Sequence, residues 1–487
     1  MIVVAVLLVA SAPLYFARGI GVFDDSLYLK AGQLILDGLK PYRDFYDIKP
    51  PGIYYVSAAI AAVGGRGWLA PRIFLFAFAA VFQIAMVRWI HTHFGARAAM
   101  FGAFLNGLSY PLAQGYSLHT EPFGALAAFA ACCVVLPDTR SIVRWGVAGA
   151  LVGLAVLFKQ TGVLYLAALG AFAVFDRQAG NAIPRLPLRL TALVGGFTAV
   201  LALAMTPFVA QGLARPLVDA VVTGAANRAD FPFASLFAIG RTWILSPALI
   251  AFLGVAVVLC VAPGARRALD DRRLRVFGLF VCVGVFAIVP TLKQGGAGHY
   301  VQPGAFAFSV ACALFLDAYL DTSGRLPRFV TGVAGAGMVA YLAAVCGVGA
   351  GMLRDDKIHA DLMVQAQMRD TLDAHLEPKE SVLCVSGPAT ARLYLMSGRH
   401  PVNRSLYFYP SNDWLFSVDD ARRALFDGQV RAAVVEINPV DDRPVLTDAE
   451  IASLRSLYDI VPLGPQTPLR LIALFRQRRG DSSESAS

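Results

Sequence analysis

Residues 21–55 read GVFDDSLYLKAGQLILDGLKPYRDFYDIKPPGIYY, and the placement of this stretch decides the fold. It follows a first apolar run at 1–17 and precedes a long series of others, yet it is too polar to span a bilayer itself. Leu27, Ala31, Leu34 and Ile35 share one helical face, while Lys30, Gln33 and Asp37 share another. That pattern predicts an amphipathic helix over 26–38, lying along the membrane surface. Asp24 and Asp25 stand at its start. Capping of the orphan N–H groups accounts for one carboxylate there. Two adjacent carboxylates at a lipid boundary, where desolvation disfavours charge, point instead to a base or a cation ligand.

Outward from this stretch the composition is that of a membrane protein. Of 487 residues, 57% are hydrophobic and only 15% charged, far more apolar than a soluble domain requires. Apolar runs long enough to be helical spans recur to about residue 351. Spans are predicted at about 1–17, 69–90, 98–113, 122–137, 145–158, 161–175, 190–211, 243–263, 276–290, 300–320 and 329–351, eleven in all. The first, MIVVAVLLVASAPLYFA, has no basic flank and is read as a retained span rather than a cleaved leader. Beyond residue 351 charged residues and alternating runs (SVLCVS, AAVVEI, RLIALF) take over, with a helical run at 448–457. The organisation is therefore an α-helical polytopic membrane domain over 1–351, a small soluble α/β domain over 352–475, and a disordered tail over 476–487. Six of the seven cysteines fall in apolar runs and only Cys384 in the soluble part, so no disulfide framework exists there.

Charge fixes the expected topology. The net charge of +9 does not signal nucleic acid, because the excess arginine sits in short loops between spans. The apolar segment 52–65 has only about 14 residues, with Pro50-Pro51 before it and Gly64-Gly65 near its end. It is read as an interfacial or re-entrant helix. One set of loops then carries Arg97; Arg140 and Arg144; Arg177, Arg185 and Arg189; Arg266, Arg267, Arg272, Arg273 and Arg275; Arg325 and Arg328. Basic residues resist translocation, so these belong to the cytoplasmic side. The alternate loops hold Lys159, Arg215, Arg228, Arg241 and Lys293. The expected arrangement is a multi-pass protein of a bacterial inner membrane, with the N-terminus cytoplasmic and the C-terminal domain periplasmic. The same parity gathers Asp24, Asp25, Glu121, Lys159, Lys293 and His299 on the outer face.

Each of these has a structural and a chemical reading. Glu121 opens a span, where the helix dipole favours an acid. Lys159, in LFKQTGVLY, stands between two spans as a snorkelling cation would. Lys293 and His299 flank the glycine-rich turn of TLKQGGAGHYVQP, where glycines admit a ligand close to the backbone or simply make the turn. His91 and His93 form an H-x-H pair without a third ligand on their side, which argues against a metal. Taken as a set, carboxylates for proton removal or cation binding and fixed cations for an anion suit a lipid-phosphate substrate.

The first-loop pattern F-D-D-x-x-Y, followed by D-G-x-x-P-Y-R-D-F-Y-D-x-K-P-P-G-x-Y, resembles the GT-C superfamily of integral-membrane glycosyltransferases. The likeness is to the dolichyl-phosphate-mannose mannosyltransferase and aminoarabinose transferase branch. It extends over roughly 21–321, with T-E-P, F-K-Q-T-G and G-G-x-G-H-Y following in order. The resemblance implies inverting transfer of a sugar from a polyprenyl-phosphate-linked donor to a lipid, glycan or protein acceptor. Asp24 matches the first-loop base, Asp25 a second acidic position and Glu121 the second-loop acid. Lys159 and Lys293, with His299 beside them, match donor-phosphate contacts. That second-loop acid is often aspartate in the aminoarabinose branch; glutamate here bears on whether a divalent cation joins the site. No other cofactor is implied, and the partners are the donor, the acceptor and membrane lipids. A transporter or flippase is the competing class, but it would show two repeated halves with broken helices meeting at the midplane. This sequence has neither.

Overall fold

The computed structural model describes residues 2–16, 23–176, 185–224, 246–261, 268–293, 298–323, 357–386, 390–404, 418–437, 446–463 and 471–477, with isolated positions between. Its first part is a stack of apolar helices: α1 (Ile2–Phe16), α2 (Phe23–Leu36), α3 (Gly52–Gly64), α4 (Leu69–Phe94), α5 (Ala96–Leu112), α6 (Glu121–Val135), α7 (Ile142–Phe158) and α8 (Val163–Phe175). They continue as α9 (Leu186–Ala210), a short α10 (Ala214–Val218), α11 (Pro247–Val261), α12 (Asp271–Lys293) and α13 (Gln302–Ser323). Ten of the eleven predicted spans fall on these helices; the eleventh, at 329–351, lies almost wholly outside the described residues. So do Arg177, Arg228, Arg241, Arg266, Arg267, Arg325 and Arg328, and the tail beyond Gln477. Among the described residues, four stretches are long and apolar enough to cross a bilayer unaided: Leu69–Phe94, Leu186–Ala210, Asp271–Pro290 and His299–Thr322. The remaining apolar helices are shorter.

The two ends of the helical bundle differ. At one end α5, α12 and α13 are tied by an ionic network in which Arg97 Nε donates to Asp317 Oδ1 at 2.6 Å and Arg273 Nη2 to Asp317 Oδ2 at 2.8 Å. At the other end Gln302 Nε2 donates to the Ala113 carbonyl at 2.6 Å, tying the start of α13 to the end of α5. The first loop sits at this second end. There α2 crosses α3 so closely that a Cβ on Gly32 would lie 2.5 Å from the Ser57 carbonyl carbon, and a Cβ on Gly52 would lie 2.6 Å from the Leu157 oxygen. Only glycine permits such backbone contact, and it sets the start of α3 directly on the end of α7.

The C-terminal domain contains α14 (Lys357–His375), β1 (Leu383–Val385), α15 (Thr390–Ser397), α16 (Val418–Phe426), β2 (Ala432–Glu436), α17 (Asp448–Leu454), β3 (Tyr458–Leu463) and β4 (Leu471–Arg476). The sheet runs β1-β2-β4-β3. β1 and β2 are parallel, with Cys384 opposite Val434, whereas β4 is antiparallel to both its neighbours. The alternation of strand side chains divides two cores. Cys384, Val434 and Ala473 face the core that continues into the helical bundle. Leu383, Ala433, Val435 and Ile472 face Ala421, Leu425 and Leu454 on the opposite side. Three of the four strands among the described residues were evident in the sequence. β3 was not, because Pro462 interrupts it; a proline is tolerated there since β3 is an edge strand. Thr447 and Glu450 form a capping box at the start of α17, with Thr447 N–H donating to Glu450 Oε2 at 2.7 Å.

The expected amphipathic helix is present, and the C-terminal domain covers one side of it. α2 begins at Phe23 and ends at Leu36, and its polar face is not in water. Lys30 is 1% and Gln33 6% exposed, because α15 packs over that face while Leu27, Ala31 and Leu34 pack inward. Periodicity identifies an amphipathic helix but not what covers its polar side. Two hydrogen bonds extend this docking: Tyr46 N–H donates to the Arg404 carbonyl at 2.8 Å, and His400 Nε2 lies 3.0 Å from Asp37 Oδ2.

Replacing Gly52 by valine should lower stability by about 1–3 kcal/mol, the usual cost of overpacking a close contact. Thermal unfolding of the detergent-solubilised protein measures it; an unchanged midpoint would mean that α3 is free to move off α7.

Candidate active site

The site is built where the loop 113–120 passes over the start of α2. Arg72, from the first turns of α4, is 2% exposed and anchors this crossing. Its Nη2 donates to Asp25 Oδ2 at 3.0 Å and its Nη1 to the Tyr116 carbonyl at 3.2 Å. The other Asp25 oxygen accepts the Leu118 backbone N–H. With both oxygens occupied and 1% exposure, Asp25 holds the loop in place. In this structure its contacts are those of a carboxylate that positions the loop.

Asp24 is positioned by that arrangement. One residue earlier in the same turn, it meets His119, whose Nδ1 lies 3.1 Å from Asp24 Oδ2, and its side chain is 18% exposed. Burial would raise the Asp24 carboxyl, but the His119 hydrogen bond and the charges of His119, Lys49 and His299 outweigh it and hold it at about 2. Burial likewise works against a charged His119, and the Asp24 bond, with Glu121 and Asp25 nearby, overcomes it and raises the imidazole above its ordinary value. Each partner thus favours the ionised form of the other.

Glu121 opens α6 and is 5% exposed. It accepts from Lys159 Nζ and, at 3.1 Å, from the Thr120 hydroxyl. Lys159 leaves the end of α7 with an extended backbone and lies 3.8 Å over the Tyr300 ring. It is thus paired with Glu121. Burial lowers its ammonium to about 8, opposed by Glu121. His299 comes from the 3₁₀ turn Gly298–Val301. Its ring stacks on His119 with centroids 4.0 Å apart, and its Nδ1 lies 3.3 Å from Gln114 Oε1. The structure thus brings together Asp24, Glu121, Lys159 and His299. Lys293 closes α12, but its side chain is outside the described residues.

Two residues of the site were not singled out in the sequence. His119 is one; the signal was its place two residues before Glu121 on a loop facing Asp24. Lys49 is the other, and it acts electrostatically on both Asp24 and Lys159. A rigid hook carries it. Tyr42, held at φ 67°, donates its hydroxyl to the Lys49 carbonyl at 2.7 Å. Tyr54 donates to Asp47 Oδ2 at 2.6 Å, and Gln160 Nε2 donates to the Ile48 carbonyl at 2.5 Å. Pro50 and Pro51 then fix the backbone leading into α3.

Asp24, His119 and His299 also offer ligand atoms within 4.8 Å of one another. His119 Nε2 is buried and has no hydrogen-bond partner. A carboxylate with two imidazoles is a donor set suited to zinc and similar divalent ions, so these residues fit a metal. His93, by contrast, bonds the Trp89 carbonyl at 2.8 Å and tilts against the Trp89 ring, as a structural histidine does.

Residues 48–203, about a third of the chain, match the family model described as dolichyl-phosphate-mannose-protein mannosyltransferase. No curated protein matches the chain in sequence. Among solved structures, ArnT from Cupriavidus metallidurans in its apo state has a TM-score of 0.62 at 16% identity, covering 97% of each chain. The same enzyme bound to undecaprenyl phosphate gives 0.62 at 15%, again over 97% of each. The archaeal oligosaccharyltransferase AglB from Archaeoglobus fulgidus, in complex with an inhibitory peptide and a dolichol-phosphate, gives 0.55 at 12% identity, over 90% of this chain and 69% of the other. The likeness read from the first loop therefore holds at the level of the fold: the chain shares the helical membrane-protein architecture of these solved structures, with a small strand-containing region at its C-terminal end.

Removing Arg72 leaves Asp25 buried without its counter-charge, which typically costs about 3–5 kcal/mol. Arg72→Ala should lower the unfolding midpoint far more than Arg72→Lys, measured by denaturant titration in detergent; equal effects would assign Arg72 a packing role only.

Proposed function

We propose that this protein is an inverting glycosyltransferase that moves a sugar from a polyprenyl-phosphate donor to a lipid, glycan or protein acceptor. What carries the reading is the cluster of buried His119, Glu121 and Lys159 with half-buried Asp24 and His299 at one end of an apolar helical bundle. A transporter needs charged groups near the middle of its spans; here they gather at the ends of α6 and α7 and the start of α2. The family model and the ligands of the structural neighbours add support for a polyprenyl-phosphate donor.

In this reading the acceptor hydroxyl attacks C1 of the sugar, the C1–O bond to phosphate breaks, and the polyprenyl phosphate leaves with the electron pair. The acceptor proton passes to Asp24. A carboxylate held at about 2 is a weak base, but the negative phosphate of a bound donor raises it toward the useful range. Lys49 and Lys159, with Lys293, supply the fixed positive charge that offsets the growing charge of the leaving phosphate. Glu121 keeps Lys159 ionised in a buried position until the phosphate shares it. A divalent ion held by Asp24, His119 and His299 would add positive charge at the same place. On this reading the cluster faces the periplasm of a bacterial inner membrane, with the N-terminus cytoplasmic and the C-terminal domain outside.

Asp24→Asn keeps the shape but cannot take the proton, so transfer of radiolabelled sugar from a polyprenyl-phosphate donor should fall by about 10²–10⁴ while donor affinity barely moves. A near wild-type rate would remove Asp24 from the chemistry. If Asp24 serves chiefly as a metal ligand, the same variant lowers the affinity for added zinc, which is read without turnover.

The topology predicts that a periplasm-dependent reporter fused after Ser487 is active and a cytoplasm-dependent one silent. The reverse result would put the cluster on the cytoplasmic side.

A further inference from the structure

A second polar region lies outside this cluster. Between α2, the α3–α4 connection and the face formed by α14 and α15 is a cleft of about 470 Å³. Arg66, Arg72 and Arg369 line it together with Gln33 and Gln365, and no carboxylate among the described residues lines it. Lys30 is buried beside it and acts electrostatically with Arg66 and Arg369. Two carboxylates balance part of this charge: Asp25 pairs with Arg72, and Asp37 with Arg66 and His400. Arg369 donates Nε to the Met396 carbonyl at 3.0 Å, and neither it nor Lys30 has an ion-pair partner among the described residues. Four cations thus meet two carboxylates, which leaves an excess of positive charge that an anion would neutralise.

The surroundings say what kind of anion. Trp68 and Leu395 form apolar walls in the cleft, and large hydrophobic side chains stand exposed on both flanking elements: Val63 at 92%, Leu69 at 47% and Ile73 at 53% on the bundle side, and Leu362 at 37% and Met363 at 56% on α14. Trp68 stands at the start of α4, one of the four helices long enough to span a bilayer, and tryptophan favours the lipid headgroup level. A free inorganic anion has no use for such an apolar border; acyl chains do.

We infer that this cleft binds the phosphate headgroup of an anionic phospholipid, with Arg66 and Arg369 as the cations that meet it and the exposed residues of α3, α4 and α14 bordering its acyl chains. The site is independent of the donor reading. Because its cations come from the helical bundle and from α14, a bound headgroup clasps the C-terminal domain against the first loop. Arg72 connects it to Asp25, and so to the turn that carries Asp24.

The test is retention of dioleoyl phosphatidic acid, with dioleoylglycerol as the uncharged reference, by the full-length protein in phosphatidylcholine nanodiscs, counted by native mass spectrometry. The wild type should retain phosphatidic acid about tenfold better than dioleoylglycerol, the ratio expected of one charge-assisted contact. Arg369→Gln should abolish that preference, Arg369→Lys should keep most of it, and salt should weaken it. Arg455→Ala, at an exposed arginine elsewhere on the domain, and Lys159→Met should both leave it intact. The Lys159 variant separates this cleft from the donor site, so the proposal can fail or stand whatever the sugar-transfer assay gives. Equal retention of the two lipids, unaltered retention in Arg369→Gln, or loss in Lys159→Met would overturn it. Displacement of the lipid by millimolar inorganic phosphate would overturn the lipid assignment in favour of a free-phosphate site.

Discussion

The arrangement of the candidate active-site end depends on the buried ion pair between Asp25 and Arg72. Both partners are almost fully excluded from solvent, with side chains 2% exposed, and neither could remain there charged without the other. The pair holds together three segments distant in sequence: the start of α2, the start of α4, and the loop 113–120, which is bonded to both partners. Such pairs contribute modestly to net stability, because desolvation offsets the Coulomb gain. What they enforce is geometry. With Asp25 fixed, Asp24 has one direction left, and it points toward His119.

A second layer follows from the cost of charge at a membrane boundary. Lys159 and Glu121, both nearly buried, satisfy each other, and Tyr300 covers the ammonium with its ring. His119 and His299 stack while each turns a nitrogen to a neighbouring side chain. Glu121 and Lys159, and Asp24 and His119, are matched by contacts a negatively charged ligand could enter and share. The first loop supplies Lys49 to the same place through a chain of tyrosine hydroxyls and backbone carbonyls. The soluble domain completes the enclosure. By docking α15 on α2 it removes from water the polar face that would otherwise float the first loop at the surface.

Much of the site was legible because membrane proteins restrict where charge can appear. Asp24, Glu121, Lys159 and His299 stood out as isolated polar residues at the ends of apolar runs, and loop charge assigned them to one side. Lys49 and His119 were harder to see. Both lie in polar loops where a lysine or histidine carries no surprise, and their importance comes from distances to Asp24. The contacts of Asp25 were hidden for the same reason. Adjacent carboxylates look alike in a sequence, although one turns toward Arg72 on α4 and the other toward His119.

The sequence by itself determined the solvent of each region, ten described helices out of the eleven expected spans, three of the four strands, and which polar residues stand at span ends. These follow from composition, periodicity and local charge, which are properties of neighbours in the chain. Tertiary structure decided which acid is open and which is locked, that Lys159 is paired, that three potential metal ligands converge, and that the polar face of α2 lies under the soluble domain. Each of these depends on contacts between residues dozens to hundreds of positions apart, such as Asp25 with Arg72 and Asp37 with His400. Local patterns carry no information about such separations, because the energy that fixes them arises only when the segments meet.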